Sequence, residues 1–257
     1  MNKILQLADK KIHIQWINYN YLNESKPVLI FLHEALGSII QWKSFPAELC
    51  EQTKSCGIII ERSGHGQSSP LLKKRNQNYL HEYAEETIEV LNLILSQNQA
   101  YSLIGHSDGG TIALLIGKDN PSNLKSIITL AAHTFVEPET LVGIEPAVTA
   151  FEAGKLDGLF RIHGEKTSDL FYAWANTWKA DFFKNWDIRT EVLTCEKPIY
   201  ALQGANDQYG TIEQLNSIKT CSEFVKIEEI PNCGHIPHIE KKEIICLKIS
   251  KWLNSLQ

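Results

Sequence analysis

In Gly105-His106-Ser107-Asp108-Gly109-Gly110 a serine has a glycine two residues away on either side. The segment follows the apolar run Tyr101-Ser102-Leu103-Ile104 and opens a small-residue stretch that ends at Gly117. G-x-S-x-G is the spacing a nucleophilic hydroxyl needs at a sharp strand-to-helix turn. The glycines let the two backbones approach where a Cβ would clash, and the turn lifts the hydroxyl above the strand ends. The first N–H groups of the following helix then point at the same place. The competing explanation is a glycine-rich turn with no chemistry, and the strand–turn–helix context weighs against it.

A serine hydroxyl attacks a carbonyl only when a base takes its proton and a third group orients that base. Asp207 lies in Gln203-Gly204-Ala205-Asn206-Asp207-Gln208-Tyr209-Gly210, and His235 in Pro231-Asn232-Cys233-Gly234-His235-Ile236-Pro237-His238, each behind a further apolar run. Alone, an aspartate in such a turn is ordinary turn chemistry, and a loop histidine is usually solvated. Together, Ser107, Asp207 and His235 read as nucleophile, orienting acid and base. His238 is the rival base, but it stands beyond Pro237 towards the last helix, whereas His235 follows Gly234. His33, His65, His106 and His133 also sit behind strands, and His106 is expected to pack beside the serine. None of these histidines shows metal-ligand spacing, so neither a catalytic metal nor a cofactor is expected.

The elements that must position these groups follow from hydrophobic period. Residues 27–32, 57–60, 101–104, 124–130, 198–203 and 224–227, the last continuing to about 230, are short apolar runs of the kind buried on both faces of a parallel sheet. Segments 4–7 and 12–17 flank Asp9-Lys10-Lys11 as a hairpin at a sheet edge. Helical spacing marks 42–51, 79–96, 109–117, 211–219 and 241–253. Strands alternating with helices imply right-handed βαβ units. From 136 to 189 the alternation stops: no strand run occurs, and Phe151, Phe160, Phe171, Tyr172, Trp174, Trp178, Phe182, Phe183 and Trp186 crowd helical stretches. The expectation is an α/β core from 1–135 and 190–257, a mostly parallel central sheet flanked by helices, with 136–189 inserted as a helical cap. Most cap aromatics would be packing; Phe171, Trp174 and Trp178 are the candidates to line a substrate pocket.

Composition narrows the classes further. With 257 residues, 43% hydrophobic and 21% charged, the chain can bury a sizeable core, which excludes disorder as its main state. Lys+Arg 25 against Asp+Glu 30 gives a formal charge of -5, with no basic stripe for a nucleic-acid partner. No apolar run approaches a membrane span, and the first residues lack a leader pattern. The six cysteines, Cys50, Cys56, Cys195, Cys221, Cys233 and Cys246, are scattered without zinc or redox spacing and read as reduced thiols. A cytoplasmic protein with a small-molecule substrate is expected; the sequence carries no signal of oligomeric state.

Two further loops complete a resemblance. Leu32-His33-Glu34-Ala35-Leu36-Gly37-Ser38 and Glu61-Arg62-Ser63-Gly64-His65-Gly66-Gln67-Ser68 each follow a predicted strand. With the serine, aspartate and histidine loops, nearly the whole chain resembles the α/β-hydrolase superfamily, in particular lid-bearing carboxylesterases, lipase-like enzymes and hydrolases of carbon–carbon bonds. Their loops read H-G-x-x-G, D-R-P-G-x-G-x-S, G-x-S-x-G-G, G-x-x-D and G-x-G-H. Here Glu34 stands for a glycine and Ser63 for the proline. The resemblance implies an oxyanion hole from the N–H groups of Ala35 and Asp108, and an acyl-enzyme on Ser107 formed from a small or medium carboxylic ester. Lactones and carbon–carbon bonds remain open, as do a silent small-molecule-binding fold and a partner-binding role for the cap. Glu34 and Asp108 both start near the cleft, where a free carboxylate would oppose an oxyanion. They are therefore expected either in a bracing network with Arg62 or His133, or turned to solvent.

Overall fold

A computed structural model describes residues 1–23, 25–220 and 224–256; Cys221 lies outside the described residues. The N-terminal hairpin forms as expected, from β1 (Asn2–Leu7) and β2 (Lys10–Ile17). The apolar runs become β3 (Val28–Leu32), β4 (Gly57–Glu61), β5 (Tyr101–His106), β6 (Leu124–Leu130), β7 (Ile199–Gly204) and β8 (Val225–Ile230). They build one sheet in the order β1-β2-β4-β3-β5-β6-β7-β8. Only β1/β2 and β2/β4 pair antiparallel; every later pair is parallel.

A parallel sheet must be covered on both faces, because its strands alternate side chains between two apolar layers. Leu29 and Phe31 of β3 enter one core with residues of α1 (Phe45–Thr53) and α10 (Lys242–Ser255). Ile30 and Leu32 enter the other, with α2 (Tyr79–Ile94) and α3 (Asp108–Gly117). Helix α2 buries Tyr79, Leu80, Tyr83, Thr87, Val90 and Leu91, the face its 3.6-residue period marks. The predicted helix 42–51 differs: a 3-10 turn at Ile40–Trp42 breaks at Lys43, with φ 51°, before α1 starts. Pro46 in the first turn of α1 accounts for the break, since proline suits a helix start and bars continuation from upstream.

The chain leaves β6 and returns in β7 only after α4 (Pro138–Glu152), α5 (Gly158–His163), α6 (Thr167–Lys179) and α7 (Arg189–Val192). Two shorter helices follow β7 and β8: α8 (Ile212–Lys219) and α9 (Pro237–Glu240). Among the described residues no helix is long and apolar enough to cross a membrane. Strand β3 has β4 on one side and β5 on the other, so successive connections depart in opposite directions there. Such a switch point opens a crevice at the carboxyl ends of the strands. The loop after β3 and the turn after β5 face each other across it.

Candidate active site

Ser107 leaves β5 at φ 53°, ψ −120°, outside the regions an L-residue ordinarily adopts. Its N–H donates to Leu130 O at 2.8 Å, and its carbonyl accepts from the N–H groups of Gly110 and Thr111 at 2.8 and 3.0 Å. These bonds hold the strain in place. A Cβ on Gly105 would lie 2.1 Å from Gly109 O, and one on Gly109 2.0 Å from Leu32 O. Only glycine lets α3 start this close to β5 and β3.

The imidazole of His235 stands between Ser107 and Asp207. Nε2 is 3.0 Å from Ser107 Oγ, and Nδ1 is 2.9 and 3.0 Å from the two Asp207 oxygens. A carboxylate can only accept, so Nδ1 carries the proton and Nε2 faces the serine hydroxyl as an acceptor. Burial works against the charge of Asp207, but the bond and field of His235 and the N–H of Tyr209 at 2.9 Å hold its carboxyl below the usual range. His238, the rival base, is turned into the rings of Trp42 and His106, 4.6 and 4.7 Å between centroids, and burial lowers its pKa to about 3. His106 does more than pack: its Nε2–H donates to the backbone carbonyl of His235 at 2.8 Å. The residue before the serine thus carries the loop of His235.

The loop after β3 is held from several sides. Arg62, fully buried, donates to the carbonyls of His33 and Glu34. His65 Nε2 bonds Ala35 O at 3.0 Å, and His33 Nε2 accepts the N–H of Arg62 at 3.2 Å. The N–H groups of Ala35 and Asp108 are bonded to no other backbone group among the described residues. The expected carboxylate network does not form. Arg62 reaches Glu34 through its backbone, the Glu34 side chain accepts the N–H of Leu36 at 2.8 Å, and Asp108 Oδ2 accepts from Tyr79 OH at 3.1 Å. His133 donates instead to Tyr209 O at 2.9 Å. The physical reason is local: each acid finds an N–H or O–H donor nearer than the guanidinium, whose fork is taken up by carbonyls. Burial pushes the pKa of Glu34 up, against the pull of the Leu36 N–H.

The segment between β6 and β7 adds contacts that local pattern could not reveal. Trp178 Nε1 donates to Tyr79 OH at 2.9 Å, extending the Asp108–Tyr79 bond into α6. The ring of Trp178 meets His133 at 5.3 Å, and Trp174 meets Tyr209 at 6.3 Å; Tyr209 in turn lies 4.7 Å from the His235 ring. Phe171 differs from the expectation: it is fully buried and stacked on Phe151 at 3.9 Å, so it packs the helical segment itself. His163 bridges the two loops behind β3 and β4. Its Nδ1 accepts the N–H of Gly66 at 2.9 Å and its Nε2–H donates to Leu36 O at 3.0 Å. Lys166 donates to the carbonyls of His65, Gly66 and Ser68. A cleft of about 190 Å³, lined by Glu34, Trp42, His106 and Ile236 among others, opens between the loops of β3 and of His235.

Comparison with known proteins fits this fold. The family model for the alpha/beta hydrolase fold matches residues 27–185. The biotin biosynthesis bifunctional protein of Teredinibacter turnerae is 23% identical over 89% of this chain, which spans 45% of that protein's length. An sn-1-specific diacylglycerol lipase of Mus musculus is 20% identical over 92% of this chain and 85% of the lipase. Among solved structures, the enol-lactonase from Burkholderia xenovorans superposes with a TM-score of 0.77 at 13% identity, over 98% of this chain and 100% of that one. At that identity the likeness is one of fold.

Proposed function

The chain belongs to the alpha/beta hydrolase fold family, and from that premise we propose that it is a serine hydrolase that cleaves a small or medium carboxylic ester. The observation that carries this reading is the unbroken hydrogen-bonded line from Ser107 Oγ through the His235 ring to Asp207. A module that only binds ligand has no need of that line.

In the proposed reaction, His235 Nε2 takes the proton of Ser107 as Oγ attacks the ester carbonyl. The N–H groups of Ala35 and Asp108 receive the oxyanion, and Asp207 stabilises the imidazolium. The tetrahedral adduct collapses as Nε2 returns the proton to the alcohol oxygen, which leaves as the alcohol. Water, deprotonated by the same nitrogen, then attacks the acyl-enzyme and releases the carboxylic acid and free Ser107. Residues 136–189 act as a cap, with Trp174 and Trp178 one ring removed from His235 and forming its apolar side. The described cysteines are free and buried, which supports a reducing compartment.

A panel of p-nitrophenyl esters, lactones and diketone acids, run beside Ser107→Ala, tests the proposal. Ester turnover should disappear with the hydroxyl; turnover confined to lactones or diketone acids would move the substrate class and keep the mechanism.

A further inference from the structure

A second cleft, of about 620 Å³, lies between the loop joining β4 to α2 and the face of α6. In a chain of net charge -5 its walls carry Lys73, Lys74, Arg75 and Lys166 against the one carboxylate of Asp169. Lys73 is paired with Glu82 at 2.9 Å, and Lys166 is bound to backbone carbonyls. Arg75 is different. Its guanidinium is buried over the rings of Tyr79 and Tyr83, 4.7 and 5.7 Å from their centroids. Its three nitrogens have the Tyr83 hydroxyl beside them and no other hydrogen-bond acceptor among the described residues.

The ring faces and the Tyr83 hydroxyl stabilise the positive charge but leave most of the N–H donors unmatched. A planar fork of such donors fits the paired oxygens of a carboxylate or a phosphate. Residues 71–75 also line a neighbouring hollow of about 390 Å³, whose wall includes Tyr79 and Tyr83. Leu72, Tyr172 and Phe182 give the cleft an exposed apolar wall. Tyr79, on which Arg75 lies, bonds Asp108, the residue after the nucleophile. One tyrosine therefore separates the guanidinium from the serine turn.

We propose that Arg75, with Lys74 at the rim, recognises an oxyanion group carried on an apolar chain, and that esters bearing a carboxylate or phosphate are the preferred substrates. This rests on the serine-ester reading, but its test includes a measurement that does not.

The full chain is assayed with p-nitrophenyl butyrate, with a half-ester of matched length ending in carboxylate, and with one ending in phosphate. The arm favoured by about tenfold or more in kcat/KM identifies the group, and Arg75→Gln should remove that preference by raising KM for the anionic ester about tenfold. The neutral ester should stay within about twofold, Arg75→Lys should restore part of the loss, and the exposed Lys74→Glu should act in the same direction. Lys74→Glu decides the matter if Arg75→Gln does not fold. Equal treatment of neutral and anionic esters by wild type, or parallel responses to the variants, overturns the proposal. If wild type hydrolyses no ester, the serine-ester reading has failed, and calorimetric titration with inorganic phosphate judges the site alone. Saturable binding weakened about tenfold in Arg75→Gln or Lys74→Glu supports it; no saturable binding to wild type refutes it.

Discussion

A methyl group at Gly109 should damage both catalysis and stability. It would stand 2.0 Å from Leu32 O and 2.6 Å from His33 O, whereas real Cβ contacts below 3.0 Å are essentially never seen. Both oxygens are backbone at the end of β3, so no side chain can swing aside. Relief requires the first turn of α3 to move off β3 by about 1 Å, and that movement separates the serine turn from the loop of Ala35. A misplacement of this size costs roughly 10²-fold in rate, and the forced packing costs about 1–3 kcal/mol of stability. At about 2–4 °C per kcal/mol for a chain of this size, the melting temperature should drop by roughly 2–12 °C. Gly158→Ala is the matched control: a Cβ there meets nothing within 4 Å, and α5 should gain about 0.5–1 kcal/mol. The assay is kcat/KM on an ester substrate beside a thermal melt for each variant. Wild-type kcat/KM and melting temperature in Gly109→Ala would refute the reasoning that α3 and β3 are held at glycine-only distance.

Other perturbations should separate the roles of the site's neighbours. Tyr79→Phe removes the hydroxyl between Asp108 and Trp178; leaving that buried acid short of a donor should cost about 1–3 kcal/mol and lower kcat, read by melting and ester kinetics. His163→Ala cuts two of the bonds that tie the loops behind β3 and β4 to the helical segment, a loss of about 1–3 kcal/mol, while His163→Gln should recover part of it. Burial lowers the pKa values of His33, His65, His106, His133, His163 and His238, so the unfolded chain binds protons there that the folded chain refuses. Stability should therefore hold above the unfolded pKa of about 6.5 and fall as pH drops below it, by up to about 1.4 kcal/mol per pH unit for each histidine still neutral when folded. A melting temperature that stays flat from pH 7.5 to 5 contradicts this. Asp207→Asn should lose about 10⁴ in kcat, because it turns the imidazole to the wrong tautomer.

The sheet, and the loops that carry Ser107, Asp207 and His235, were legible in the sequence because each depends on neighbours in the chain. Apolar runs such as 27–32 and 57–60 mark buried strands by themselves, and Ser107, Asp207 and His235 each sit in the loop that directly follows one. What holds those groups in place was not legible. Trp178 meets Tyr79 across 99 residues and His163 meets Gly66 across 97, and no local period records either pairing. Charge alone misled at Arg62: carboxylates were the obvious partners, but full burial beside the carbonyls of His33 and Glu34 gave its donors nearer acceptors. Phe171 was indistinguishable by type from Trp174 and Trp178, since all three fall on one helix; only the packing of α4 against α6 turns it onto Phe151.

The reactivity of the Ser107 hydroxyl is the point on which the proposed chemistry stands. Treatment of the native chain with a fluorophosphonate, followed by intact-mass measurement and peptide mapping, reads it directly. One phosphonyl group per chain, located on Ser107 and abolished in both Ser107→Ala and His235→Ala, is the predicted result. An unlabelled native chain, or label that persists in Ser107→Ala, contradicts it.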